Sequence, residues 1–222
     1  MDKLLRIAPA AALLERRLAE KLASGEWTAD LLHAREAEAW AEGVAALPGE
    51  PVTAEALRRA LEAAPGAPPG PEAVRAWAAA LGLDGLRPTP LAGGAPPEFV
   101  AARLDDLAQW LGSAGLGEVK PGARASLAWA RVQDIAPLAA GNDRLAHVAL
   151  ANALRGFGQR LPRFAETDAS ALASAREAAG QFDFQPLGEL LERAGGQMLE
   201  HLIRSHGSTG PAGSGAMNSV GT

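Results

Sequence analysis

The chain contains no cysteine and no tyrosine. Without cysteine there are no disulfides, no thiolate metal ligands and no cysteine nucleophile. Aromatic residues make up only 5% of the 222 positions, so the five tryptophans (27, 40, 77, 110 and 129) are expected to be large buried anchors. No stretch approaches ~18 uninterrupted apolar residues, so nothing reads as a membrane span. Positive charge is not in excess either. Twenty-one basic against 26 acidic side chains give a net charge of -5, which argues against a sequence-independent grip on nucleic acid. The apolar start of the chain is interrupted by Arg6 and ended by Glu15-Arg16-Arg17, and it reads as an amphipathic helix, not a targeting signal. The expected location is therefore the cytoplasm.

What the chain does have is alanine, helical periodicity, and proline or glycine between the periodic runs. Apolar content of 48% is enough for a core. The spacing predicts helices over Ala10–Ala23, from Thr28 as N-cap to about Glu42 with Gly43 as terminator, and over Ala54–Ala63 behind a Thr53 cap. A stiff Pro/Gly connector then leads to Pro71 as the first residue of a helix through Leu81. Further helices are predicted over Glu98–Leu111, Pro121–Ile135, Arg144–Phe157, Ala165–Ala179 and Pro186–Ser205. Between Gly82 and Pro97 nothing looks helical, and Leu86–Gly94 reads as an extended segment or short hairpin whose prolines forbid a central strand. The expected class is all-α, with one domain over residues 1–206. Residues 207–222 have too little apolar content to repay ordering and read as a disordered tail.

The stretch Asp134-Ile-Ala-Pro-Leu-Ala-Ala-Gly-Asn-Asp-Arg144 joins two of these helices through a Gly-Asn turn. A turn at a helix N-terminus followed by arginine is where a phosphate chain commonly sits. It is preceded by the extended Arg87-Pro-Thr-Pro-Leu-Ala-Gly-Gly-Ala-Pro-Pro97 and a proline-led helix, and followed by a helix ending in Gln159-Arg-Leu-Pro-Arg-Phe164. This order of elements resembles the Fic (Fic/Doc, or Fido) family, whose motif reads His-Pro-Phe-x-Asp/Glu-Gly-Asn-Gly-Arg-x-x-Arg. Upstream, Glu42-Gly43 resemble the end of the family's inhibitory helix, although Glu38 stands where that helix carries Ser or Thr.

The resemblance implies a Fic-like helical bundle with a short β-hairpin flap. Residues 1–65 would be N-terminal helices including an inhibitory-like one, 71–165 the core, and 166–206 C-terminal helices. In the family the motif histidine is the general base, and the acidic residue holds the Mg²⁺ that neutralises the nucleotide phosphates. The matching positions here are Ala136 and Ala140, which can do neither. Asp143 stands where the turn has glycine, and a carboxylate ~4 Å from a phosphate at an effective dielectric near 20 costs about 4 kcal/mol. Leu138 replaces phenylalanine and His147 replaces the second arginine, while Pro137, Gly141, Asn142 and Arg144 match.

Candidate anion- or nucleotide-binding residues are thus Gly141, Asn142, Arg144 and His147, with Glu42 as the candidate inhibitory-helix contact. Each has a plainer reading. Arg144 could be a solvated or ion-paired arginine, Gly141-Asn142 a turn and cap, His147 a packing residue and Glu42 a surface glutamate. Arg155, Arg160 and Arg163 read as a solvated basic face or a partner surface. His201 and His206 lack a placed acidic partner, so no metal site is expected. The favoured function is a Fic-like pseudo-enzyme that binds a protein partner, with no cofactor, membrane or nucleic acid. ATP and Mg²⁺ enter only if family activity survives. The alternatives are an altered transferase acting on protein hydroxyls with His147 or Asp143 as substitute base, and an unrelated helical binding protein. Oligomeric state is not legible.

Overall fold

Apolar spacing and cap residues set the helices. Thr28 Oγ1 accepts from Leu31 N at 3.2 Å and Thr53 Oγ1 from Ala56 N at 3.2 Å, each satisfying one of the free N–H groups of a helix start. Pro71 and Pro121 open their helices, where a missing N–H costs nothing. The computed structural model describes residues 4–113, 120–181 and 183–206. The helices are α1 (Leu4–Ala23), α2 (Ala29–Ala46), α3 (Ala54–Ala63), α4 (Pro71–Leu81), α5 (Val100–Gly112), α6 (Pro121–Ile135), α7 (Asn142–Gly156), α8 (Ala169–Gly180) and α9 (Gln185–His206). Among the described residues there is no strand. The expected tail, 207–222, lies outside them.

Buried apolar side chains from Leu18 to Leu202 form one cluster. The helical hairpin of α6 and α7 is the most extensive pairing in it, and α9 runs against α1, α2, α6 and α8. The end of α7 is fixed to the α3–α4 connector, where Asn152 Oδ1 accepts from Gly66 N at 2.9 Å. After α7 the chain is extended, and Arg160 reaches back to Glu15 (2.9 Å) and to buried Glu36 (2.6 Å), tying α1 and α2 together. Arg160 is therefore an internal tie, not part of a solvated basic face.

Three expectations need correction. The hairpin flap does not form: residues 86–97 run as a strap of turns and extended backbone. Its four prolines carry no N–H to donate to a ladder, and its carbonyls bond to an arginine instead. Helix α2 does not stop at Gly43 but continues to Ala46, and Leu47 then turns extended ahead of Pro48. Gly43 is needed for packing. A Cβ there would lie 2.5 Å from the Phe164 carbonyl oxygen, so α2 passes the post-α7 segment at backbone distance. Finally, Trp110 is 40% exposed, whereas the other four tryptophans are buried.

Substituting Gly43→Ala forces either α2 or the Phe164 backbone to shift. Overpacking of this kind costs about 1–3 kcal/mol. The urea unfolding midpoint should fall accordingly at unchanged slope, and an unshifted midpoint would refute the close approach.

Candidate functional site

The loop between α6 and α7 is held from outside by one side chain. Arg87, 3% exposed, donates from Nε to Ala136 O (2.6 Å), from Nη1 to Thr89 O (2.6 Å), and from Nη2 to Ala95 O and Ile135 O. Its own backbone N–H bonds to Pro137 O at 2.9 Å, and Ala95 N to Ile135 O at 3.2 Å. The guanidinium thus joins the strap to the loop through main-chain carbonyls. Ala136 caps α6 in the left-handed region (φ 46°) with its methyl group buried. That position therefore presents a strained backbone and no side-chain acceptor.

On the other side of the loop the chain folds on itself. Asn142 Oδ1 accepts from Leu138 N at 2.9 Å, and its Nδ2 donates to Leu138 O at 2.8 Å. The Asn142 side chain therefore clamps the loop. Gly141 has φ 76°, a left-handed angle that favours glycine, and a Cβ there would also push on the tip of the Leu83 side chain at 2.4 Å. Ala140 is exposed. Asp143 turns outward, where its carboxylate pairs with Arg176 of α8 at 3.4 Å; both side chains are more than half exposed. The repulsion expected at the turn is reduced by this orientation.

Arg144 is buried at the start of α7 and, among the described residues, bonds only to main chain. Nε donates to Glu50 O (2.9 Å), Nη1 to Val44 O (2.7 Å) and Nη2 to Leu47 O (2.7 Å). These carbonyls belong to the end of α2 and the connection after it, the negative end of that helix. Burial lowers the Arg144 pKa, opposed by the charges of Asp143 and Glu50. One turn on, His147 packs between Trp129 and Phe164, with ring centroids 6.2 and 5.4 Å away. Burial, then the Arg144 charge, pushes its pKa down to about 3, so the imidazole is neutral at pH 7. Among the described residues its Nδ1 has no hydrogen-bond partner, and neither do Gln133 Oε1 and Trp129 Nε1 nearby on α6.

These groups surround a cavity of about 300 Å³ between α6, α7, α8 and the end of α2, lined by Trp129, Gln133, Asp143, Arg144, His147 and Arg176 among others. The structure thus separates the candidate residues into three places. Arg144, His147 and Asp143 share the cavity, whereas Ala136, Ala140, Gly141 and Asn142 belong to the loop beside it. Glu42 does not reach either. It is exposed and faces a groove with Glu38, Glu55 and Arg58, because Gly43 and not Glu42 lies on the packed side of α2. A larger cavity of about 770 Å³, flanked by Gly122 and Gly195, sits against α9 away from the motif loop.

A nucleotide with Mg²⁺ requires an oxygen ligand and free donors. Ala140 offers no ligand, Asp143 is directed at Arg176, and the donors of Arg144 are largely engaged. The residues present do not fit that group. Among the described residues no cluster of three or more His, Asp or Glu could hold a metal ion, and no helix is long and apolar enough to cross a membrane. Sequence reasoning did not single out Arg87, Gln133 or Arg176. For Arg87 a signal existed: an arginine amid prolines, which leave carbonyls without a ladder to join.

The comparisons identify the architecture. A Fic-1 fragment from C. elegans superimposes with a TM-score of 0.60 over 71% of this chain and 52% of that one, at 16% identity. A Fic-domain signaling protein from Bacteroides thetaiotaomicron gives 0.58 over 68% and 70%, at 18% identity. The fold is that of a Fic domain. A point variant of the C. elegans protein matches similarly, with a TM-score of 0.57 at 16% identity, over 71% of this chain and 52% of that one. This chain spans about half the length of the C. elegans chains. No protein-family model and no curated protein sequence matches it. The Fic fold is thus reached with identities that speak for architecture alone.

His147 makes the stability of this Fic fold depend on pH. Its pKa is about 3 when folded, against an ordinary 6.5, so below 6.5 the unfolded chain binds the extra proton. The contribution is fully present above pH 6.5 and is lost as pH falls toward 3, at up to about 1.4 kcal/mol per pH unit. Denaturant titrations of native and His147→Phe protein across this range should diverge, with the native chain showing the steeper loss. Parallel curves would place a protonated histidine in the fold.

Proposed function

We propose that this chain is a binding module on a Fic fold that does not transfer AMP or another nucleotide group. The observation that carries this reading is the commitment of the motif's surviving residues. Arg144 and Asn142 bond to the main chain, and the base position is Ala136. General base catalysis needs a proton acceptor within hydrogen-bond reach of the target hydroxyl. At the motif position there is only a methyl group. The neutral His147, with its pKa near 3, is a poor substitute base at pH 7 and lies in the core instead of on the loop. Asp143 is engaged with Arg176. In this reading the motif loop persists because it organises the fold, and the protein acts in the cytoplasm by engaging another protein, not a nucleic acid or membrane.

Calorimetry with ATP and Mg²⁺, alongside labelled-nucleotide transfer, tests this. The native chain should give neither binding heat nor transfer. The variant Ala136→His/Ala140→Asp/Asp143→Gly, which restores base, ligand and turn, should regain binding. Transfer by the native chain that disappears in His147→Ala would overturn the reading in favour of an altered transferase.

A further inference from the structure

Helix α5 lies at the edge of the bundle and presents a stripe that stays exposed among the described residues. Phe99, in the 3-10 turn that leads into α5, is 53% exposed, and Trp110 at the other end is 40% exposed. They are the two largest exposed apolar side chains among the described residues. Between them, Arg103 and Asp106 are also exposed, and neither forms an ion pair among the described residues. At 3.6 residues per turn, Arg103, Asp106 and Trp110 fall within an arc of roughly 60° on one face of α5, and Phe99 stands at the N-cap of that helix, in the preceding 3-10 turn. The buried face of α5, carrying Val100, Leu104, Leu107 and Leu111, lies to one side of that arc.

The order along the stripe is aromatic, basic, acidic, aromatic, and it is symmetric. Phe99 and Trp110 are equally far from the midpoint between Leu104 and Asp105, and so are Arg103 and Asp106. A second copy of the helix laid antiparallel across a two-fold axis through that midpoint would set Phe99 against the other copy's Trp110. It would set Arg103 against the other copy's Asp106, and repeat both contacts in reverse. A two-fold interface requires this self-complementarity, in which residue i meets j and j meets i. A partner of another kind would not require it. Aromatic side chains and arginine are also the residue types enriched at interface cores.

We infer that the α5 stripe is a homodimer interface, closed by reciprocal Phe99–Trp110 packing and reciprocal Arg103–Asp106 ion pairs between two copies of this chain. One helix face on each side is small for a protein interface, so the dimer should be weak and concentration-dependent. The inference does not depend on whether the motif loop is catalytic.

Sedimentation equilibrium of the full chain over a wide concentration range is the test. The native protein should self-associate reversibly to a dimer. Arg103→Asp alone would oppose two pairs of like charges and should weaken association by about tenfold or more, as should Asp106→Arg. Both sites are exposed, so the fold should be unaffected, which circular dichroism checks. The double variant Arg103→Asp/Asp106→Arg should dimerise again. An equimolar mixture of the two single variants should also form a heterodimer, because every cross-copy pair is then opposite in charge. Trp110→Glu should be monomeric. A native chain that stays monomeric at the highest soluble concentration overturns the inference. A dimer indifferent to the single charge swaps does so too, because it would lie on another face.

Discussion

Two buried guanidinium groups bonded to backbone carbonyls hold the central part of this fold in place. Arg87 joins the strap of residues 86–97 to the loop after α6, and Arg144 joins the start of α7 to the end of α2. Neither pairs with a carboxylate among the described residues. A buried charge without compensation costs several kcal/mol, and hydrogen bonds to a charged group return about 1.5–3 kcal/mol each. Three or four carbonyls around each guanidinium can therefore offset the desolvation. The planar fork of arginine is what allows one side chain to reach carbonyls on separate segments at once. Remove either group, and carbonyls on two separate segments lose a charged donor; Val44 O and Ile135 O keep one backbone donor each, from Leu47 N and Ala95 N.

This arrangement explains how a loop with the outline of a phosphate-binding turn can be kept for structural reasons. Gly141 is favoured by its backbone angle, Asn142 by its two bonds to Leu138, and Arg144 by its three carbonyls. Each of these residue types is also what an anion site would use. Their retention is therefore weak testimony about chemistry, and the positions with no structural duty say more. Ala140 is such a position, being exposed, and at Ala136 the structural duty falls on the backbone and not on the side chain. The cavity beside the loop keeps polar atoms of Trp129, Gln133 and His147 that have no partner among the described residues, and it is the part of this region least explained by packing alone.

The helices were legible because they are local. Periodic apolar residues, Thr28 and Thr53 as caps, and Pro71 and Pro121 at helix starts carry the information within a few residues. The order of elements around Asp134–Arg144 was enough to reach the Fic architecture, which the structural neighbours share. What was not legible depends on distant partners. The three carbonyls that bind Arg144 lie 94 to 100 residues away in the chain, so no spacing rule could have chosen them over a phosphate. The strap failed to become a hairpin for a similar reason, because its carbonyls bond to Arg87 instead of a neighbouring strand. Glu42 takes the plainer of its two readings, an exposed glutamate. The close contact at Gly43 sets the rotation of α2, and that turns Glu42 away from the cavity.

The most direct test of the central claim is the equilibrium stability of Arg144→Met. With three main-chain carbonyls losing a charged donor in the core, urea unfolding should show a loss of about 3–5 kcal/mol. Arg144→Lys should recover little of it, because an ammonium cannot span the same carbonyls. An unchanged unfolding midpoint in Arg144→Met would contradict the account, since it would mean that the motif arginine is free for a ligand and not part of the frame.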